Sequence, residues 1–331
     1  CRARDKNMLL EAAMEPERSM AVKIVHFMKK EQSGLARCTL ELAKFEERLG
    51  HKAVIKEPGT DVAMYGIEGD GGDIEVIHSQ LPPEHYFNNV PRIMVQHGEP
   101  LSSVGNGVSM KAICDLSSKV DAFLCFRREE WPIWNMIKRT YLVRKGIDLE
   151  AYHPLDGITE KLPGEPAILY YENMRGMRNP LYLLAAMPAV FKRFPKARLH
   201  VYNLSDPKMQ ATFDAFTKVC KLWAAGVVGM QGPVNDVNLL LNRVDIVVSC
   251  LFPLYARSIE AFGAGKPLIC PGYNEPGYPY PCTLDPASLA ETVIAAWEKV
   301  ELFDARAWAV ERHNVEDTVK ECVAVYERYA G

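Results

Sequence analysis

Several side chains in this sequence have types and spacings that suit chemistry. Arg175 and Arg178 stand in a polar turn between an apolar run, residues 167–171, and a helical pattern that starts at Pro180. A planar guanidinium grips a phosphate through two parallel bonds, so the pair suits an anion; two solvated loop arginines are the plainer alternative. Glu260 follows Arg257 and Ser258 inside residues 249–271, SCLFPLYARSIEAFGAGKPLICP. This stretch reads as a loop, a short helix over 259–264, a Gly265-Lys266-Pro267 break and a second apolar run. Glu260 is therefore expected at a helix start. It is either a residue favoured there by the helix dipole or a carboxylate aimed at ligand hydroxyls. Arg257 and Ser258 can approach an anion through side chains or helix amides; a buried Arg257 paired with a carboxylate fits equally. His97 ends an apolar run, residues 93–96, beside Gly98 and Glu99. A histidine at a strand end is either functional or a hydrogen-bonded structural residue. His78, which ends a neighbouring run, is read as structural.

The elements that must hold these residues follow from hydrophobic periodicity. Residues 21–28 (AVKIVHFM) read as a buried strand, followed by a polar loop that ends at Ser33-Gly34. Apolar positions 35, 38, 42, 45 and 49 then follow helical spacing, and Gly50 closes the helix. Further strands are expected at 53–55, 74–78, 93–96, 122–126 and 141–144, with helices at 108–120 and 129–139 and an irregular glycine-rich stretch at 59–72. Residues 153–166 contain Pro154, Gly157, Pro163, Gly164 and Pro166 and read as a linker. Beyond it the alternation restarts, with strands at 167–171, 198–202 and 246–249 and helices at 180–194, 207–225, 286–298 and 315–329. Strand–helix alternation on both sides of a linker predicts an α/β protein of two doubly wound, Rossmann-like domains facing each other across a cleft.

Composition narrows the function classes. The chain has 331 residues, 48% hydrophobic, and a formal net charge of −3. Two cores are expected at this length, and no global basic field argues for nucleic acid. The nine cysteines show neither a CxxC pair nor metal spacing, and those in apolar runs read as small buried hydrophobes. A reducing, cytoplasmic compartment is expected. No apolar run is long enough to span a membrane, and residues 1–19 are charged and lack the apolar core of a signal peptide; they are read as an N-terminal extension. The helix at 129–139 carries Trp131, Trp134 and cations, which suit either peripheral membrane contact or core packing.

Five segments, taken in order, carry a resemblance. VKIVHFMKKEQSGLARCTLELAKFEERLGHKA, IMVQHGEP, LVRKGIDLEAYHP, AILYYENMRGMRNPLYLLAAMPAVFKRFPKARLHVYN and SIEAFGAGKPLIC resemble, in that order, segments of the GT-B glycosyltransferases, and within them retaining family 4. The resemblance runs from about residue 21 to the C-terminus. It implies an acceptor-side domain at 20–152, a linker at 153–166, a nucleotide-sugar domain at 167–302 and C-terminal helices at 303–331 crossing back to the first domain.

The resemblance also implies roles. Arg178 falls on the position of a diphosphate-binding lysine, and Asn173 on that of its partner arginine, which leaves Arg175 as the second cation. Glu260 falls on a glutamate expected to bind ribose hydroxyls. A companion glutamate eight positions earlier, expected to contact the transferred sugar, is replaced by Phe252. His97 falls on a histidine that faces the donor sugar and contributes to catalysis. Ser33-Gly34 falls on a glycine pair that lets the backbone approach the donor phosphate or the acceptor. The implied activity is hexosyltransferase-type: a sugar leaves a nucleotide-diphosphate donor for an acceptor hydroxyl, with retention, by front-face substitution in which the leaving diphosphate helps deprotonate the acceptor. No Asp-x-Asp motif stands in the expected place, so no metal and no other cofactor is expected. The acceptor (saccharide, lipid-linked sugar, protein or nucleic acid) and the oligomeric state stay open. Two alternatives remain: a GT-B-fold sugar-nucleotide epimerase, and a nucleotide- or glycan-binding protein without turnover, which Phe252 would suit. The stretch 274–281 (NEPGYPYP) replaces the family's glycine loop; its tyrosines either stack on a ligand or fill a surface.

Overall fold

Parallel strands buried on both faces read as continuous apolar runs, and the apolar runs of this sequence are the strands of its structure. The computed structural model describes residues 21–28, 33–56, 63–65, 72–78, 89–96, 110–128, 130–171, 180–202, 207–230, 234, 236–250 and 256–331. They belong to two units, one reaching up to Lys145 and including Val315–Gly331, the other Gly146–Asn314.

The first unit runs β1 (Lys23–Phe27), α1 (Ser33–Arg48), β2 (Lys52–Lys56), β3 (Ala63–Tyr65), β4 (Ile74–Ile77), β5 (Arg92–Gln96), α2 (Met110–Ser117), β6 (Ala122–Cys125), α3 (Trp131–Ile137) and β7 (Thr140–Leu142). Its sheet has the order β3-β2-β1-β4-β5-β6-β7. Every pairing is parallel except β2 with the edge strand β3. The buried stripe of α1 is Thr39, Leu42, Ala43, Phe45 and Glu46, and Gly50 closes the helix at φ 92°. In α3, Trp134 is buried edge-on against Phe123, and the Trp131 indole N–H donates to Thr140 O at 2.8 Å. Both tryptophans thus serve packing, and the membrane-facing reading of this helix has no support here.

The second unit runs β8 (Ala167–Tyr170), α4 (Leu181–Arg193), β9 (Arg198–Tyr202), α5 (Pro207–Val219), α6 (Leu222–Ala225), β10 (Val227–Met230), α7 (Val237–Asn242), β11 (Ile246–Val248), α8 (Ala256–Gly263), β12 (Leu268–Ile269), α9 (Pro286–Glu298) and α10 (Ala305–Arg312). Its all-parallel sheet has the order β10-β9-β8-β11-β12. The last helix, α11 (Val315–Ala330), belongs to the first unit, where Val319, Cys322 and Tyr326 enter the core beside Leu42 and Phe45 of α1.

Three local differences from the sequence reading have physical reasons. The helix expected over 207–225 is split by Lys221, whose left-handed φ of 53° no regular helix accepts. Residues 33 and 34 are the first turn of α1 and not the end of a loop. The unit boundary falls at Lys145/Gly146, not after residue 152, because the proline-rich stretch is tied into the second unit. Asp148 Oδ1 accepts the amides of Glu150 and Ala151. Asn242 bonds His153 O and the Leu155 amide, and Lys161 and the Ala167 amide share Asp245.

The same tie fixes α8. Arg306 donates to the carbonyls of Tyr152 (2.6 Å), Leu149 (3.0 Å) and Gly263 (2.8 Å). Gly263, the last residue of α8, lies against this turn. A Cβ there would stand 2.7 Å from Tyr152 Cβ and 2.8 Å from Ile147 Cδ1. Gly263→Ala should therefore destabilise the protein by about 1–3 kcal/mol, read as a lower midpoint in urea with an unchanged slope. A midpoint equal to wild type would show that α8 is not held by this contact.

Candidate functional site

In an open parallel sheet, ligands bind outside the carboxyl ends of the strands, where the strand order reverses. In the second unit that point lies between β8 and β11, since β9 and β10 lie on one side of β8 and β11 and β12 on the other. Tyr171 directly follows β8, Ser249 directly follows β11, and α8 follows β11 in the chain. The four side chains described at this point come from those segments. Tyr171 Oη donates to Glu260 Oε2 at 3.1 Å, and Ser258 Oγ is 3.2 Å from Ser249 Oγ. Glu260 is 4% exposed, and Ser249 and Ser258 are 1% exposed. A carboxylate held by a phenol at this edge is equipped to accept hydrogen bonds from hydroxyl-bearing ligands.

Glu260 does not stand at a helix start. It is the fifth residue of α8, which begins at Ala256. The dipole effect fades within the first turn, so macrodipole preference is a poor account of this glutamate. Packing on both sides fixes its place. Gly263 rests on the Tyr152 turn, and Phe262 stacks on His313 with the rings 11° from parallel and 5.7 Å apart. Tyr273 Oη lies 2.8 Å from His313 Nε2 and accepts the Trp308 indole N–H at 2.8 Å.

The tyrosines after α8 belong to this packing. Tyr273, Tyr278 and Tyr280 are all buried, in ring contact with one another and with Phe262, Phe303 and Trp308. Their hydroxyls are also used: Tyr278 donates to Leu268 O and Tyr280 to Lys299 O. Tyr278 and Tyr280 of the stretch 274–281 therefore fill the core, and the stacking alternative falls away. A surface cavity of about 450 Å³ lined by Lys161, Asn242, Gly265 and Lys266 lies elsewhere, near the residues that precede β11 and β12. That is the amino edge of the sheet, opposite Glu260.

Of the residues singled out from sequence, Glu260 and Ser258 are thus brought to one sheet edge. Arg257 is the second residue of α8, and Ser33 and Gly34 open α1 after β1. His97, Asn173, Arg175, Arg178 and Phe252 lie outside the described residues. Sequence reasoning misses Tyr171 and Ser249. Their one sequence signal is position, each being a polar residue that closes an apolar run just before a loop.

No family model matches the chain, and no curated protein matches it. Solved structures do. A glycosyltransferase from Rickettsia africae ESF-5 superposes with a TM-score of 0.68 at 14% identity, over 94% of this chain and 99% of that one. The N-terminal domain of Candida albicans trehalose-6-phosphate phosphatase gives 0.67 at 12%, over 96% and 98%. Anabaena HepE, in complex with UDP and glucose, gives 0.65 at 11%, over 92% and 98%. At such identities the likeness speaks for the fold: two Rossmann-like units of the GT-B kind.

The aromatic packing behind Glu260 has a pH signature. Burial pushes the Tyr278 phenol well above its usual value and the Cys282 thiol up to about 12. The native state keeps these protons after the unfolded chain has released them, so their stabilising contribution is complete below the unfolded values and is lost as pH rises beyond them. Stability should fall from about pH 9 upward. Tyr278→Phe should cost about 1 kcal/mol at neutral pH and should lose less than wild type between about pH 8 and 11. Parallel wild-type and variant curves in urea titrations over that range would contradict this account.

Proposed function

We propose that this protein is a glycosyltransferase that moves a sugar, of hexosyl type, from a nucleotide-diphosphate donor to an acceptor hydroxyl, with retention and without a metal. The observation that carries the reading is the buried Glu260 at the switch point of the second unit, bonded to Tyr171. HepE has been solved in complex with UDP and glucose and in complex with UDP-glucose, which makes a nucleotide sugar the donor class to test first. In this reading Glu260 accepts from the ribose hydroxyls, while the side chains of Asn173, Arg175 and Arg178 and the amides at the start of α8, near Arg257 and Ser258, neutralise the diphosphate. His97 and the backbone at Ser33-Gly34 serve the sugar and acceptor from the first unit's sequence. Arg178 then stabilises the leaving group, where charge grows in the transition state.

The replacement of the expected sugar-contacting glutamate by Phe252 favours one rival, a nucleotide-binding protein without turnover. A panel of UDP, GDP, ADP and their glucose or mannose conjugates separates the two. One nucleotide should raise the melting temperature in proportion to the logarithm of its concentration, and its sugar conjugate should release nucleotide over time. No shift with any member would end the proposal, and a shift without release would favour the rival. Glu260→Ala should weaken the effective nucleotide at least tenfold, since bonds to a charged group are worth about 1.5–3 kcal/mol. Unchanged affinity would remove Glu260 from the site. His97→Ala should lower turnover while leaving nucleotide affinity near wild type.

A further inference from the structure

The surface cavity at the amino edge of the second unit's sheet has two main walls, the segment that ends at Lys161 and the turn that follows α8. Both walls are fixed by hydrogen bonds. The Gly265 amide donates to Phe262 O at 3.0 Å and the Lys266 amide to Ala261 O at 2.8 Å, with Gly265 at φ 74°. These two bonds around a left-handed glycine close the helix and set Lys266 in the cavity wall. A Cβ on Gly265 would stand 3.3 Å from Pro154 Cγ, so the two walls meet there. The other wall is pinned at both ends. Asn242 accepts the Leu155 amide and donates to His153 O. The Leu162 amide donates to Arg243 O, and Arg243 Nε donates to Glu160 O. Between the pins, residues 156–159 line a space of about 450 Å³, a size that suits a small ligand.

Two lysines line this space, and their circumstances differ. Lys161 Nζ lies 3.2 Å from Asp245 Oδ1, while Asp245 Oδ2 accepts the Ala167 amide at 2.9 Å. Both oxygens of Asp245 are thus engaged. Lys266 is half-buried, and its ammonium has no hydrogen bond or ion pair among the described residues. Burial holds its pKa below the usual lysine value; the charge of Lys161 adds to this and Asp245 opposes it. A cation past a helix end can serve the helix dipole. Lys266 Nζ, however, bonds none of the end carbonyls, and Gly263 O is taken by Arg306. A cation partly withdrawn from water with no acceptor costs stability, and an anion in the cavity would offset that cost.

An ammonium binds phosphate as a point charge, and two of them on one cavity match a doubly charged group. We propose that this cavity is a ligand site in which Lys266 and Lys161 hold a phosphate dianion. Two sources share this chemistry, free phosphate and a small phosphate ester. The space beside Pro154, Leu155, Ile158 and Ala264 has room for the alcohol part of an ester. Asp156, exposed on the same wall, is the carboxylate that opposes an anion there. The site lies at the edge of the sheet opposite Glu260 and does not rest on the sugar-transfer reading.

The test is calorimetric titration of the full chain with glycerol 3-phosphate, inorganic phosphate and glycerol. The wild type should bind glycerol 3-phosphate and not glycerol. Lys266→Met should bind it at least about tenfold more weakly, since a bond from a charged group is lost. Asp156→Asn, a change at an exposed position, should bind it more tightly, because a repulsion is removed. Tighter binding of glycerol 3-phosphate than of inorganic phosphate identifies an ester as the source, and equal affinity identifies free phosphate; the site stands in both cases. Melting curves without ligand verify that the variants fold. Lys266→Met should melt no lower than wild type, because it removes a half-buried charge that nothing pairs. A wild type that binds neither phosphate compound would overturn the proposal. So would wild-type affinity in both variants. A lowered melting midpoint with unchanged phosphate binding in Lys266→Met would assign Lys266 to the helix dipole instead.

Discussion

A parallel strand can join a sheet only after the chain has crossed over its face, and in both units the first strand lies inside the sheet with later strands on either side. The crossovers must therefore leave in opposite directions from neighbouring strands, β1 and β4 in one unit and β8 and β11 in the other. At those two places the carboxyl ends of adjacent strands face a gap that no crossover fills. In the second unit polar groups otherwise foreign to strands of apolar residues gather there, Tyr171, Ser249 and Glu260; in the first unit His26, His78 and Glu46 meet instead between the sheet and the buried stripe of α1. Topology decides where chemistry is possible, and the side chains decide which kind.

The two places are built differently. In the second unit the carboxylate is carried by a helix whose position is set by close packing. The absence of a side chain at Gly263, the carbonyl bonds of Arg306 and the rings around Phe262 hold α8, and Glu260 projects from it. This is a site on a rigid element, whose geometry owes little to the polar groups themselves. In the first unit the polar groups hold one another, from three separate elements. Removing one member of such a network strands the rest. Replacing a packing residue beside Glu260 instead shifts a surface that is otherwise complete.

Much of the fold was legible because strand burial and helix periodicity are local properties of the chain. The runs KIVHF, AFLC and AILY are strands, and α1 follows its apolar spacing to Gly50. Glu260 was legible as a candidate through its place in a motif, but not its helical position, because nothing in LFPLYARS signals where α8 begins. The tyrosines of NEPGYPYP were not legible: proline and glycine mark a surface turn, while burial depends on Phe303 and Trp308 further along. The buried polar cluster of the first unit left two signals that local periodicity discounts, a histidine inside an apolar strand and a glutamate on the buried stripe of a helix. Each reads alone as an exception. Only their meeting across β1, β4 and α1 gives them a common cause.

The proposed function also bears on Phe252, which stands where the resemblance expects a glutamate. A phenylalanine cannot accept a hydrogen bond from a sugar hydroxyl, so any stabilisation supplied there must come from elsewhere or be absent. In the proposed function nucleotide recognition through Glu260 would not need that position, because Tyr171 and the packing of α8 hold the carboxylate. In that reading the substitution touches the choice of sugar and leaves nucleotide binding to a carboxylate whose place the aromatic packing behind α8 sets. Under the proposed function a chain so built could change its donor sugar without rebuilding its nucleotide site.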